Sequence, residues 1–453
     1  MHTPRDLIDS DRRCLWHPYT QEKTAPDPIP IASARDATLT TVDGREILDL
    51  ISSWWVTAHG HGHPVIAEAI AQQARTLEQV IFAGFTHQPA VDLAQQLGAA
   101  LGHGLTRVFF SDDGSTAVEV ALKMALHAHQ NQGQPRPRLL AFEGGYHGDT
   151  WGAMSVGGSS GYFEPYLRNG LDVAFIPYPH TWMGDPFVEE KEALSLLQLE
   201  EILLHNAQTP FAACVIEPLI QGAGGMRVCR PEFLQRLAKR LKEAGILLIF
   251  DEVMTGFGRT GSLFAFQQCG VTPDIICLSK GLTGGFLPLS ATVCQQSLYE
   301  AFLGDSFNQA LAHGHSFTAN PIGCAAAVAS LQLFEQENTL SKVSDISSLH
   351  QSRMRRYATG KRPHPIAQRP RVVGSMAALD IVAEDAGYQA EIGDRMKRFF
   401  REKDLLIRPL GNTLYLLPPY CVTPEQLHRG WDAIDELIEQ LEAERRATNA
   451  SEA

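Results

Sequence analysis

The sequence predicts an α/β protein in which a mostly parallel sheet flanked by helices forms a large domain, followed by a smaller α+β domain. Between about residues 64 and 330, short apolar segments alternate with amphipathic helical segments, a pattern typical of parallel strands joined by right-handed crossovers. After residue 330 the helical segments become longer and surround only a few apolar ones. The chain has 453 residues, 44% of them hydrophobic, and is long enough to bury a large core.

The elements of the large domain are assigned from their hydrophobic periodicity. Helices are predicted at 64–80, 90–101 and 231–243, and a further helix after residue 110 places apolar residues 118, 121, 122, 125 and 126 on one face. Seven apolar segments are predicted to be buried strands, at 106–110, 138–142, 172–176, 211–216, 246–250, 274–278 and 290–293.

The two ends of the chain are assigned to the smaller part of the molecule. The first 60 residues or so are rich in proline and turn residues and cannot bury a core alone, so this segment is predicted to pack with the small domain. We therefore divide the chain into an N-terminal segment (1–60), a large domain (61–330) and a small domain (331–453). In the small domain, strands are predicted at 371–382, 405–407 and 413–417.

The charge balance argues against some classes of partner. Lys and Arg total 38 against 51 Asp and Glu, giving a formal net charge of −13 with no basic run. Nucleic acids and anionic membranes both attract clustered cations, so neither is expected as a partner. Residues 1–13 lack the apolar stretch of a signal peptide, and apolar runs such as 246–250 are too short to span a bilayer. The eight cysteines lack CxxC spacing, which indicates free thiols in a reducing cytoplasm.

The most informative pair of residues is Asp251 and Lys280, each of which follows a predicted strand. Ligands of open α/β sheets bind beyond the carboxyl ends of the strands, so both side chains are expected to face one crevice. Pyridoxal phosphate requires such a pair: a lysine amine to form a Schiff base, and a carboxylate to keep the pyridine nitrogen protonated. Taken singly, each residue is explained as well by a turn-capping aspartate or a solvent-facing lysine. The small neighbours Ser279 and Gly281, however, leave room for a bulky ring.

A second feature of the same sheet edge is the segment Gly114-Ser115-Thr116, at the start of a predicted helix. Free amides, a hydroxyl and the helix dipole together form a site for a phosphate group. Serine and threonine are also ordinary helix caps, so the segment alone is weak evidence. Its value comes from its position beside the lysine.

Longer motifs are identified as those of a known family. The run DEVMTGFGRTG at 251–261, the Ser-Lys-Gly step at 279–281 and Glu217 after a strand resemble the class III aminotransferases of pyridoxal-phosphate fold type I, over nearly the whole chain. Within that class, four segments resemble the adenosylmethionine–8-amino-7-oxononanoate aminotransferases, which form 7,8-diaminononanoate in biotin synthesis. These segments are WHPYT at 16–20, SSWW at 52–55, GYHGDT at 145–150 and IRPLG at 407–411, and the first two are the specific ones.

The resemblance implies a role at the cofactor, pyridoxal phosphate, for several residues. Lys280 would form the Schiff base and shuttle protons, Asp251 would contact the pyridine nitrogen, and Tyr146 would stack on the ring. Gly114 and Ser115 would hold the phosphate. The family forms homodimers with active sites at the subunit interface, and Ser316 of the partner subunit would complete the phosphate site.

The resemblance also implies the substrates and the residues that bind them. The substrates would be 8-amino-7-oxononanoate and, as amino donor, S-adenosylmethionine. Arg408 would bind the carboxylate of the oxo acid, a task suited to a bidentate guanidinium. The other substrate-binding residues would be Tyr19, Trp54, Trp55 and Gly314.

Some of these residues also have plainer explanations. Trp54 and Trp55 can be core aromatics and, as neighbours on a strand, would point to opposite faces, so at most one is expected to touch substrate. Arg408 can instead stabilise a turn. Asp149 either supports Tyr19 by a hydrogen bond or is an ordinary turn residue.

Two histidine patterns need separate interpretations. His59, His61 and His63 alternate in a glycine-rich segment, but no second pair of ligands is present, so no metal site is predicted. His315-Ser316 stands where many members of the family carry Pro-Thr. Serine still offers a phosphate donor, whereas the histidine leaves the shape of the local pocket open.

Other functions remain open at this point. The donor can be lysine instead of S-adenosylmethionine. Another class III transaminase acting on ω-amino acids would share the cofactor residues but lack the tryptophan-containing segments. An aminomutase would move the amino group within one molecule. A non-catalytic regulator would carry a DNA-binding module, for which this chain has no basic segment.

Overall fold

The structure, a computed structural model, describes residues 3–158, 165–167, 170–358, 364–383 and 391–452. The strands, in chain order, are β1 (Ile31–Arg35), β2 (Thr38–Thr41), β3 (Glu46–Asp49), β4 (Leu105–Ser111), β5 (Arg138–Phe142), β6 (Val173–Ile176), β7 (Phe211–Ile216), β8 (Ile220–Gln221), β9 (Arg227–Val228), β10 (Leu247–Asp251), β11 (Ile275–Leu278), β12 (Ser290–Gln295), β13 (Ala367–Val373), β14 (Met376–Ile381), β15 (Leu405–Leu406) and β16 (Thr413–Leu416).

The helices pack around these strands. They are α1 (Pro4–Cys14), α2 (Ser52–Trp55), α3 (Pro64–Thr76), α4 (Gln88–Leu101), α5 (Gly114–Asn131), α6 (Trp151–Val156), α7 (Val188–His205), α8 (Pro231–Glu243), α9 (Phe266–Cys269), α10 (Gln296–Glu300), α11 (Pro321–Gln336), α12 (Thr339–Ala358), α13 (Glu391–Glu402) and α14 (Pro424–Glu452). No helix in the described ranges is both long and apolar enough to cross a membrane.

The central sheet has seven strands in the spatial order β4-β12-β11-β10-β7-β5-β6. Neighbouring strands are parallel except at β12, which runs antiparallel to both β11 and β4. The prediction of a mostly parallel sheet is therefore confirmed. Each of the seven predicted strands is present, with ends that differ by two residues at most.

The central strands are apolar throughout because helices cover both faces of the sheet. In β10, Leu248 and Phe250 belong to one apolar cluster and Ile249 to another, as expected when alternate side chains point to opposite faces. All six residues of β7 and all four of β11 are buried. Burial of each large aliphatic or aromatic side chain contributes roughly 1.5–3 kcal/mol to the stability of the fold. The residues at the ends of these strands are therefore held by a rigid sheet.

The N-terminal segment is joined to the C-terminal part of the chain by a second sheet. Its order is β1-β2-β3-β15, and β3 pairs in parallel with β15, with Leu48 opposite Leu405. Strands β13, β14 and β16 form a third, antiparallel sheet. This arrangement agrees with packing of the first 60 residues against the small domain. Helix α11 runs through residue 330, and the boundaries at 60 and 330 stay a prediction.

Two local expectations were wrong. The segment predicted as one strand at 371–382 is a hairpin of β13 and β14, because the backbone turns at Gly374, whose φ of 55° lies in the left-handed region. Trp54 and Trp55 do not lie on a strand. They end the short helical turn α2, which is kinked at Ser53 (φ 61°). The rule that strand neighbours point to opposite faces therefore does not apply to them.

Candidate active site

A cavity of about 720 Å³ opens beyond the carboxyl ends of the central strands. Asp251 is the last residue of β10, and Lys280 follows β11 after a single serine. The first residues of α5 form another part of the wall, together with the loop at 146–150. The structure thus brings together the two sequence segments that were predicted to share a crevice.

Lys280 begins a 3-10 turn, Lys280–Thr283, with a φ of 47° that is unusual for a residue other than glycine. Its Nζ lies 5.0 Å from the centre of the Trp55 ring. Burial lowers the pKa of the Lys280 amine, and the positive charge of Arg259 lowers it further, although the carboxylates of Asp251 and Glu217 act against this. A lowered pKa increases the neutral fraction of the amine, which is the nucleophilic form.

Asp251 is buried and is held by two hydrogen bonds. Its Oδ1 accepts from the amide of Val253 at 3.0 Å, and its Oδ2 lies 2.7 Å from Nδ1 of His147. Burial alone would lower the pKa of His147, but the hydrogen bond to Asp251 and the charges of Asp251 and Glu217 raise it above its usual value. The imidazole is thus held as a donor to the carboxylate. Sequence analysis missed this histidine, although it stands inside the GYHGDT segment.

Glu217 is a second buried carboxyl group on the cavity wall. Its Oε1 accepts from the amide of Tyr146 at 3.1 Å and its Oε2 from the amide of Gly222 at 2.8 Å. Burial raises the pKa of Glu217 to about 7, and the charge of Asp251 acts in the same direction. The residue fixes the backbone that carries Tyr146.

The start of α5 has the features of a phosphate cradle. The carboxylate of Asp113 accepts from the amide of Thr116 at 2.9 Å, while the first amides of a helix have no acceptor within the helix itself. The hydroxyl of Ser115 accepts from the amide of Thr150 at 3.0 Å and lies 2.8 Å from the Thr150 hydroxyl.

Close packing requires glycine at two positions of this cradle. A Cβ atom added to Gly114 would lie 2.5 Å from Val253, and one added to Gly148 would lie 2.2 Å from the hydroxyl of Ser115. Only glycine permits both approaches. The glycines, the hydroxyls and the positive end of the helix dipole fit the phosphate of pyridoxal phosphate.

One wall of the cavity is a hydrogen-bonded aromatic cluster. The hydroxyl of Tyr19 donates to Oδ1 of Asp149 at 2.7 Å, and the hydroxyl of Tyr146 donates to the same oxygen at 3.1 Å. Burial raises the pKa of Tyr146, as do its contacts with Tyr19 and Asp149, so its phenol stays neutral. Asp149 is therefore placed as a support for Tyr19, one of the two roles considered for it.

Both tryptophans line the cavity, and the expectation that at most one of them touches substrate stays a prediction. Trp55 is buried and its Nε1 donates to the hydroxyl of Tyr415 at 2.9 Å. Trp54 is 41% exposed and packs edge-on against Tyr19, with 6.0 Å between ring centres. The kink in α2 turns both rings toward the same space.

Arg408 is not part of the cavity wall but lies behind it. Its guanidinium carbon is 5.2 Å from the centre of the Trp54 ring, a cation–π contact. Within the described part of the chain it forms no ion pair with a carboxylate. A guanidinium without an anion, beside a cavity, is suited to the carboxylate of a ligand.

Gly314 and Ser316, like Arg408, are not part of the cavity wall in the single chain. Both are exposed, and the carbonyl of Ser316 accepts from Nε2 of Gln79 at 2.7 Å. The resemblance assigned Ser316 to the site of a partner subunit, and one chain does not test that assignment.

The alternating histidines each have a partner within the fold. Nε2 of His61 lies 2.9 Å from Asp49, and Nε2 of His63 lies 2.9 Å from Glu337. His59 packs against an aromatic ring, and burial lowers its pKa to about 4. In the described ranges no group of three or more His, Cys, Asp or Glu side chains is arranged to hold a metal ion.

Comparison with known proteins agrees with this chemistry. The family model described as aminotransferase class-III matches residues 19–438. The chain is 54% identical, over 94% of its length and 99% of the relative, to an adenosylmethionine-8-amino-7-oxononanoate aminotransferase of Synechococcus elongatus. It is 38% identical to the enzyme of the same name from Geobacter sulfurreducens, over 96% of each chain.

Two solved structures are also similar. An adenosylmethionine-8-amino-7-oxononanoate aminotransferase of Methanocaldococcus jannaschii superposes with a TM-score of 0.87 at 32% identity, covering 96% of this chain and 98% of that one. An amine transaminase from an uncultivated Pseudomonas species, solved in its PLP-bound form, has a TM-score of 0.85 at 33% identity, covering 94% and 98%.

Proposed function

The chain belongs to the class-III aminotransferases, enzymes that depend on pyridoxal phosphate, and we propose that it converts 8-amino-7-oxononanoate to 7,8-diaminononanoate in biotin biosynthesis. The observation that carries this proposal is the 54% identity to an enzyme of that name along nearly the whole chain. The cavity supports it, because it offers aromatic surface with the guanidinium of Arg408 behind it.

At the cofactor end, Lys280 would bind pyridoxal phosphate covalently and Asp251 would contact its pyridine nitrogen. Gly114 and Ser115 would hold the phosphate, and Tyr146 would stack on the ring. When bound, the cofactor supplies an electron sink for the substrate carbon that loses a proton. The lowered pKa of Lys280 supports its role as the base that takes this proton and later returns it.

At the substrate end, Arg408 would bind the carboxylate of the oxo acid. The guanidinium forms no ion pair with any described carboxylate, so no described carboxylate competes with the substrate for it. Trp54 lies between this charge and the cavity and would contact the aliphatic chain of the substrate. Trp55 would form the wall of the pocket beside Lys280.

S-adenosylmethionine is the proposed amino donor, as in the names of the relatives. Its sulfonium and amino groups are cationic. The faces of Tyr19, Trp54 and Tyr146 offer cation–π contacts, and the carboxylate of Asp149 adds negative charge to the same wall. Lysine, which is also cationic, is the competing donor.

The partner subunit would complete the site in a cytoplasmic homodimer. Large apolar side chains close to Ser316 in sequence or in the fold are exposed in the single chain, among them Ile81, Phe85 and Phe317. Burying such side chains between two copies is favourable, and would bring Ser316 close to the site of the other subunit. Light scattering on the purified protein tests the stoichiometry.

The decisive experiment adds each donor alone to the yellow, cofactor-loaded protein and follows the loss of its visible absorbance. Decay with S-adenosylmethionine, followed by recovery with 8-amino-7-oxononanoate and detection of 7,8-diaminononanoate by mass spectrometry, is expected. Decay with lysine but not with S-adenosylmethionine would replace the donor and keep the product. Turnover of simple amines alone would instead favour a general amine transaminase, the activity named for one structural neighbour.

A further inference from the structure

The residue His315 makes a contact that the proposed chemistry does not use. Its Nδ1 lies 3.3 Å from Oδ2 of Asp112, within ion-pair distance. Both of its ring nitrogens are buried, and neither has a hydrogen-bond partner among the described residues. Ring nitrogens that are buried and unpaired beside a carboxylate are a costly arrangement unless charge attraction stabilises them.

Asp112 lies next to the proposed phosphate site. It lines the cavity and directly precedes Asp113, which caps α5, so two carboxylates flank the start of the phosphate cradle. The carboxylate of Asp113 is turned to the amide of Thr116. Asp112 has no such backbone role in the described structure, and its negative charge would repel a phosphate bound at Gly114 and Ser115.

Other charged groups near His315 come from two elements. Its own loop contributes His313, whose pKa is lowered by burial and by the charges of Lys123 and His315. Helix α5 contributes Lys123, whose Nζ lies 3.0 Å from His313, and Glu119, which acts on His313 in the opposite sense. Lys123 therefore contacts His313 and not Asp112. The cationic partner of Asp112 is His315.

We propose that protonated His315 neutralises Asp112 at the mouth of the phosphate cradle and thereby makes cofactor binding stronger at low pH than at high pH. The proposal rests on the assignment of Gly114 and Ser115 as the phosphate site. His315 is a positioning residue here, since it acts through Asp112 and is not itself part of the cavity wall.

The test measures the dissociation constant of pyridoxal phosphate from the apoprotein by quenching of tryptophan fluorescence, at about pH 6 and about pH 8.5. H315Q keeps the size and polarity of the side chain but never becomes charged. It is expected to weaken binding roughly twofold to fivefold at the lower pH, the range of a partly exposed ion pair, and to leave it unchanged at the higher pH. In a D112N background, the loss caused by H315Q should be smaller.

An equal loss at both pH values, or a loss undiminished in the D112N background, would overturn the proposal. The melting temperature of each apoprotein shows whether a variant is folded, and H315N replaces H315Q if the latter is not. Failure of the native protein to bind pyridoxal phosphate at all would refute the proposed function instead, so the two outcomes are distinguishable.

Discussion

The two ends of the cavity are built in different ways. At the cofactor end, Asp251, His147 and Glu217 are buried and fixed by short hydrogen bonds on strand ends and adjoining loops. At the substrate end, Tyr19 and Trp54 are more than 40% exposed and come from the N-terminal segment, while Arg408 comes from the C-terminal part. The first end is a rigid, desolvated polar network, and the second is an open aromatic surface. The contrast suits one fixed cofactor and two unlike substrates.

The largest expected effect is at the cofactor end. Lys280→Ala removes the amine that is proposed to bind the cofactor and move the proton, so transamination should fall by several orders of magnitude. The absorbance of the purified variant and single-turnover rates with each donor test this. Retention of full activity would remove Lys280 from the mechanism.

Asp251→Asn comes next. It removes a buried charge at nearly constant shape, and leaves His147 beside a neutral amide. Breaking a buried charged pair costs roughly 3–5 kcal/mol, which corresponds to a fall in kcat of about 10²- to 10³-fold. A decrease of less than about tenfold, ~1.4 kcal/mol, would contradict the role given to Asp251. Asp149→Asn, at the other end of the cavity, is the matched control for loss of one carboxylate.

The substrate end should respond more selectively. Arg408→Ala is expected to raise KM for the oxo acid by about 10- to 100-fold, the loss of roughly 1.5–3 kcal/mol from a charged hydrogen-bonded contact, and to leave the donor half-reaction little changed. Arg408→Lys keeps the charge but not the planar fork, and should lie between this variant and the native protein. Similar small effects from both substitutions would make Arg408 a structural residue.

The smallest expected effect concerns stability and pH. Burial raises the pKa of Glu217 from 4.5 to about 7, so the folded protein holds its proton more tightly than the unfolded chain does. The stability gained from this is complete below about pH 4.5 and is lost as the pH rises through 7. Glu217→Gln should remove about 2–3 kcal/mol of this pH dependence. Urea unfolding of the apoprotein at pH 5 and at pH 8 measures the free energy of unfolding, with Glu119→Gln as control. If the difference between the two pH values is the same in Glu217→Gln as in the native protein, the assignment is contradicted.

The two ends of the cavity also differ in how well the sequence predicts them. The seven strands of the central sheet are rich in apolar residues, and β7 and β11 are apolar over their whole length, so the strand positions, and with them Asp251 and Lys280 at one sheet edge, follow from the sequence pattern. The pairing of His147 with Asp251 joins residues 104 positions apart, and no spacing rule indicates it. The hydrogen bond of Trp55 is to Tyr415, 360 positions away. The kink that turns both tryptophans toward the cavity is likewise not indicated by local sequence. Local periodicity specifies elements, whereas these contacts depend on how the elements pack.

The antiparallel strand β12 determines when the site can exist during synthesis of the chain. In the described sheet, β4 lies at the edge with β12 as its neighbour, and Ser290 of β12 pairs with Ser111, just before the cradle. Chains emerge from the ribosome amino end first, so β4 lacks its partner until residues 290–295 have been made, after Lys280 has already appeared. Pairing of strands so distant in sequence is also slow to form. The sheet edge that carries both Lys280 and the start of α5 is therefore complete only once residue 295 has been made.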